Sequence, residues 1–144
     1  MIELALIVGI LGPVFLLGTT ELSMFVFASV ELADATQAAA SYASQYYFEN
    51  SNSTLPTQSQ VTAAATNDSP ELSALLSSGS SFTATVATGC GSGSATSGNT
   101  VPTCSSGSLP YVQVTGQAKI APFVSFLQMQ SITMTSQARM NLVK

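Results

Sequence analysis

The residues of this chain that could do chemistry are few and lie far apart in the sequence. The 144 residues include seven Asp and Glu, three Lys and Arg, two Cys and no His. A general base would have to come from one of these scattered carboxylates, with no histidine to assist it. No glycine-rich motif that cradles phosphate follows a predicted strand. The sequence therefore predicts no enzyme activity, no catalytic or metal-binding residues, no cofactor and no small-molecule substrate.

The two cysteines, Cys90 and Cys104, bracket a stretch made almost wholly of Gly, Ser, Thr and Asn. Such a loop has little to pack, so we expect it to be ordered only if it is cross-linked. A disulfide that closes about 15 residues is worth on the order of 3 kcal/mol in the chain-entropy description, and it indicates an oxidising, extracytoplasmic compartment. The alternative is two unrelated thiols in a flexible loop. A zinc site is poorly supported, because two Cys without His cannot supply four ligands.

Two carboxylates, Glu3 and Glu21, lie in apolar surroundings, and the run between them from 4 to 20 carries no charge. An ionised carboxylate there is expensive unless it is paired. The run is long enough to span a bilayer core of roughly 30 Å. Pro13 lies within it and removes one helix hydrogen bond, so we expect a kinked helix in lipid or an extended segment in the core of a filament. Glu21 marks either the outer membrane boundary or a contact with a neighbour's backbone.

The elements that position these residues are predicted to be a long rod and a small head. Residues 1–50 run from the apolar segment into alanine-rich sequence without a break signal, which predicts one transmembrane or filament-core helix. Residues 51–144 leave about ninety residues for the head, near the lower limit for a self-sufficient core. The predicted fold class is α+β, with the long N-terminal hydrophobic helix packed against a small antiparallel sheet. Short helices are expected over 58–66 and 70–77, and strands over 82–86, 111–115 and 132–135, where β-branched residues alternate with other residues.

Composition restricts the partners of such a chain. Charged residues make up 7% of the sequence and the net charge is −4, so nothing here could release counterions from a nucleic acid. A surface of neutral polar groups suits tightly packed subunits, and small residues from Ala33 to Ser44 would let helices approach closely. Asn52 and Asn67 each begin a glycosylation acceptor pattern, Asn-x-Ser/Thr.

No lysine or arginine precedes Lys119, although basic residues beside an apolar segment normally set its membrane orientation. A secretory signal peptide would show a basic start and a small-residue cleavage site, and neither is present. One interpretation is that a short basic leader preceded Met1 and was removed on the cytoplasmic face. The other is an uncleaved signal anchor.

The N-terminal sequence resembles the TadE-like pilins and pseudopilins of the tight-adherence branch of type IV pilus machines. Residues 2–8 (IELALIV) supply an acidic residue in an apolar start, and residues 13–22 (PVFLLGTTEL) supply a Pro, a leucine-rich run and Gly-x-x-Glu-Leu. Residues 32–47 continue with the alanine-rich sequence usual in that family. Residues 121–127 (APFVSFL) and 132–140 (ITMTSQARM) resemble its closing segment.

This resemblance implies a structural subunit of an extracellular Tad-type pilus, which polymerises through its N-terminal helix and serves adhesion. The implied partners are further copies of the chain in a helical homopolymer, the inner-membrane assembly machinery and a prepilin peptidase. Before assembly the subunit would lie in the cytoplasmic (inner) membrane. By the same resemblance, Glu3 pairs with the Met1 ammonium of a neighbouring subunit; the alternative is that Glu3 snorkels to water. Two other functions stay open: a minor pseudopilin that primes pilus or secretion assembly, and a membrane-anchored surface binding module.

Overall fold

A computed structural model describes residues 2–50, 54–105, 107–122 and 131–142, with the backbone alone for residues 2–6. Its elements in chain order are α1 (Ile2–Glu49), α2 (Gln58–Asp68), α3 (Pro70–Leu75), β1 (Thr83–Cys90), β2 (Thr96–Ser97), β3 (Pro110–Ile120) and β4 (Ile132–Asn141). The strands form one antiparallel sheet in the order β2-β1-β3-β4. The long helix packs against this small sheet, so the predicted α+β class is confirmed.

Helix α1 has 48 residues, which at about 1.5 Å per residue extend over about 72 Å. It runs through Pro13 without interruption. Its C-terminal half carries buried side chains at helical spacing, most of them alanine, and this stripe packs against β3, β4 and α2. The members of the stripe that are fully buried or nearly so are Ala28, Leu32, Ala35, Thr36, Ala39, Ala40 and Ala43.

The two short helices close one side of the head. Thr57 caps α2: its side chain accepts from the N–H of Gln60, whose side chain bonds back to the N–H of Thr57. Pro70 begins α3, as the sequence predicts. Helix α3 ends at Leu75, earlier than the predicted 77, because the backbone there pairs with the sheet: the N–H of Ser77 donates to the carbonyl of Lys119 over 2.8 Å.

The inner face of the sheet carries the alternating apolar residues that the sequence predicts, and these form one core with the stripe of α1. Strand β3 runs past Gly116 to Ile120, further than predicted. Gly116 is needed where it stands, because a Cβ added there would lie 2.9 Å from Cε2 of Phe82 and would also overlap Thr36 of α1. The glycine therefore allows helix and sheet to approach closely instead of ending the strand.

Candidate assembly surface

The candidate site is the N-terminal half of α1, from Ile7 to Phe27, which we call the rod. At about 1.5 Å per residue it rises about 32 Å. Successive residues point about 100° apart around a helix, and between residues 7 and 20 large apolar side chains are exposed on every side of the rod. Among them Val14 is 61% exposed, Phe15 73% and Leu16 70%. A helix that is apolar all round requires a cover of lipid or protein.

The hydroxyl side chains of the rod bond to its own backbone. The hydroxyl of Thr19 donates to the carbonyl of Phe15 over 3.0 Å, and the hydroxyl of Ser23 donates to the carbonyl of Thr19 over 2.8 Å. Such bonds leave no hydroxyl that needs water. In the described part of the chain, α1 is the one helix long and apolar enough to cross a membrane. It is compatible with a membrane anchor or a signal segment.

Three of the four predicted assembly residues fall at different places along α1. Met1 lies outside the described residues, and the backbone of Glu3 lies in the first turn of the helix. Pro13 is exposed within the rod. Glu21 is 8% exposed and is the buried carboxylate among the described side chains. Because this burial occurs in a single chain, Glu21 is covered by its own chain before any neighbour is present.

Of the two predicted glycosylation positions, Asn52 lies outside the described residues. Asn67 is exposed in the last turn of α2, two residues before the buried Ser69. Its modification stays a prediction.

The predicted disulfide is present: Cys90 and Cys104 are bonded, with their Cα atoms 5.6 Å apart. The loop between them folds over the outer face of the sheet and buries Tyr111, which is 1% exposed. The hydroxyl of Tyr111 donates to the carbonyl of Gly93. The loop is therefore ordered by hydrogen bonds as well as by the cross-link.

Arg139 makes a contact with the same loop that the sequence does not predict. The guanidinium of Arg139 lies 3.4 Å from the centre of the Tyr111 ring and donates to the carbonyl of Gly91. This is a cation–π contact combined with a hydrogen bond. Beneath the ring, Gly89 leaves the necessary space, since a Cβ there would lie 2.5 Å from Cζ of Tyr111. Arg139 and Gly89 lie 50 positions apart in the sequence, and only the β1-β3-β4 register brings them together.

Among the described residues, no group of three or more His, Cys, Asp or Glu is placed to hold a metal ion. Comparison with known proteins finds no matching family model, no matching curated protein and no matching solved structure.

Proposed function

We propose that this chain is the structural subunit of an extracellular Tad-type, type IV-like pilus, and that it polymerises through the rod. One observation carries the proposal. Between residues 7 and 20, large apolar side chains are exposed around the whole circumference of the rod, while the head packs on the C-terminal half of the same helix. In water this surface must be covered, and rods of further copies provide a cover of matching length and composition.

Lipid provides the same cover before assembly. The rod is about as long as a bilayer core is thick, roughly 30 Å, and its hydroxyls bond internally. A subunit in the inner membrane can therefore enter a filament while the hydroxyls of its rod keep the same hydrogen bonds. The TadE-like resemblance of residues 2–8 and 13–22 supports the same course, with processing by a prepilin peptidase and no enzymatic role for the subunit itself.

Glu3 is proposed to set the axial position of one subunit against the next, by pairing with the Met1 ammonium of a neighbour. In an apolar filament core the two charges would be costly apart and would neutralise each other together. This role comes to Glu3 from the family resemblance.

Shearing of cell-surface material tests the proposal. If the chain is the major subunit, it is the dominant polypeptide of the sheared and purified filaments. A minor pseudopilin would be present there in trace amounts. A membrane-anchored binding module, the second candidate that the membrane-compatible rod supports, would stay in the membrane fraction. Either of those two results would refute the proposed role.

The stability of purified filaments gives an independent test. Because the proposed contact is apolar, filaments should persist in high salt and dissociate in detergent. The described head carries few charges that could form ion pairs between subunits, with Lys119 and Arg139 as its described cations. Dissociation by salt alone at neutral pH would count against assembly through the rod.

A further inference from the structure

The two edges of the sheet are protected to different degrees. At the β1 edge, α2 packs against the strand and the hydroxyl of Thr62 accepts the N–H of Ala84 over 3.3 Å. Further along, β2 pairs with Ala87 and Thr88. At the opposite edge, no strand in the described part of the chain pairs with the outer side of β4. A long sheet edge with unpaired backbone groups is a template for another strand.

The hydrogen-bond register identifies which backbone groups of β4 face outward. Leu142 donates its N–H to the carbonyl of Pro110 over 2.8 Å, and this position continues the register of β3 and β4. In an antiparallel pair, hydrogen-bonded positions alternate, so the even-numbered residues of β4 bond to β3. The odd-numbered residues direct their N–H and C=O groups away from the sheet. All of them are exposed: Thr133, Thr135, Gln137, Arg139 and Asn141.

This edge lacks the features that normally prevent strand pairing, which are charged side chains, Pro and bulges. Strand β4 is ten residues long, contains no Pro and pairs with β3 without a bulge. Its one charged residue is Arg139, whose guanidinium is held on Tyr111 and Gly91. That charge therefore lies over the outer face of the sheet and does not prevent another strand from pairing at the edge.

We propose that β4 pairs with β4 of a second copy of the chain, antiparallel and with Gln137 on the two-fold axis. In β4 and the following residue, three of the five position pairs about Gln137 match in chemistry and the other two can lie side by side, as a self-complementary two-fold interface requires. The position pairs that this register brings together are 132 with 142 (Ile, Leu), 133 with 141 (Thr, Asn), 134 with 140 (Met, Met), 135 with 139 (Thr, Arg) and 136 with 138 (Ser, Ala).

Each of these pairs is favourable or neutral. On the inner face Ile132 meets Leu142 and Met134 meets Met140, while Ser136 meets the small Ala138. Ile132 is 43% exposed in the single chain and would be covered. On the outer face, Arg139 meets Thr135 of the second copy. The two Arg139 residues are four positions apart along the strands, about 14 Å at ~3.4 Å per residue, which is beyond the screening length of about 8 Å at physiological salt.

The symmetry determines which copies can pair. The two-fold axis of an antiparallel strand pair stands perpendicular to the sheet and reverses every direction that lies in the sheet. Helix α1 lies along the sheet, since its buried stripe continues from Ala28 to Ala43. The rods of the two copies therefore point in opposite directions. If the chain forms filaments as proposed above, this contact joins subunits of different filaments and not neighbours within one polar filament.

Cysteine cross-linking of the full chain in detergent micelles tests the pairing. The variant Gln137→Cys should form a dimer on mild oxidation, because hydrogen-bonded antiparallel positions have Cα atoms about 5.5 Å apart, within disulfide range. The matched control Gln117→Cys places a cysteine on the same outer face but on the inner strand β3, and it should stay monomeric. Equal cross-linking of the two variants, or none for Gln137→Cys, would overturn the proposal.

A mixing experiment tests the register. Thr133→Cys and Asn141→Cys should cross-link when mixed and not when alone, since identical positions would lie about 27 Å apart, eight residues at ~3.4 Å each. Cross-linking of either variant alone as readily as the mixture would refute this register. Adding Gln137→Lys to both chains, or Gln137→Glu to both, should abolish the cross-link, whereas Lys in one and Glu in the other should restore it. Gln117→Lys should have no effect.

Filament yield separates this inference from the proposed function. Gln137→Lys should leave the yield of sheared filaments unchanged, while lateral association between filaments is lost. Loss of the filaments themselves would place β4 within the polymer and overturn the antiparallel arrangement. If the wild-type chain forms no filaments but Gln137→Cys still cross-links in the stated register, the pairing stands and the pilus function fails.

Discussion

Two phenylalanines, Phe15 in the rod and Phe82 in the head, should respond in opposite ways to truncation. Phe82 is 2% exposed and packs in the core beside Gly116. Truncation of a buried Phe to Ala costs about 3 to 5 kcal/mol. For a head of this size each kcal/mol shifts the melting temperature by about 4 to 8 °C, so Phe82→Ala should lower it by at least about 12 °C. Phe15 is 73% exposed, and Phe15→Ala should leave the melting temperature unchanged.

Filament assembly should respond to the two truncations in the opposite way, with Phe15→Ala as the more harmful. Phe15→Ala removes side-chain packing that copies of the rod would share and should reduce the yield of sheared filaments. Phe82→Ala, assayed below its melting temperature, should assemble as the wild type does. The assays are thermal melting of the full chain in micelles, followed by circular dichroism, and quantification of sheared filaments. A lower melting temperature for Phe15→Ala, or a wild-type filament yield from it, would refute the separation of rod and head.

Three further variants, one of them with a matched control, test particular contacts. Glu3→Ala should impair filament formation but not membrane insertion, as measured by fractionation; a wild-type filament yield would remove the pairing role. The double variant Cys90→Ser, Cys104→Ser should still assemble but lose on the order of 3 kcal/mol of head stability, seen as a lower melting temperature and faster proteolysis within the loop; unchanged stability would contradict this. Gly89→Ala should destabilise the head by about 1 to 3 kcal/mol, the cost of overpacking, whereas Gly98→Ala, with open space around its added Cβ, should not.

The helix and strand types could be predicted from the sequence, because each rests on a local pattern. Pro70 at a helix start and the alternation around Val86 and Val114 identify their elements correctly. The ends of these elements could not be predicted, because tertiary contacts decide them. Helix α3 stops early because Ser77 bonds to β3, and the two-residue strand β2 exists through its pairing with β1. Ser77 and Lys119 are far apart in the sequence, and β2 is too short to show a strand pattern of its own.

The apolar rod and the disulfide could also be predicted, the rod from its composition and the disulfide from the lack of large apolar side chains in the loop between the two cysteines. The contact between Arg139 and Tyr111 could not. A single arginine in a strand indicates only an exposed position, and its position over Tyr111 depends on the register of β3 with β4. The exposure of the β4 edge is likewise a property of strand order, since each strand pattern is compatible with an inner or an outer place in the sheet.

The sizes of the residues along α1 explain how one helix can pack against the head in its C-terminal half and present the rod to lipid or to other copies in its N-terminal half. The alanines were expected to bring neighbouring helices together, but Ala35, Ala39 and Ala43 are buried in their own chain. Small side chains there allow β3 to approach, which Gly116 completes from the sheet side. Large side chains such as Phe15 and Leu16 would hold the sheet off, and both are exposed, in the part of the rod that precedes the buried stripe. Small residues on the rod would in turn offer lipid or a second copy little area to cover. The change from large to small residues therefore determines where along the helix the head can pack and which part is left for other surroundings.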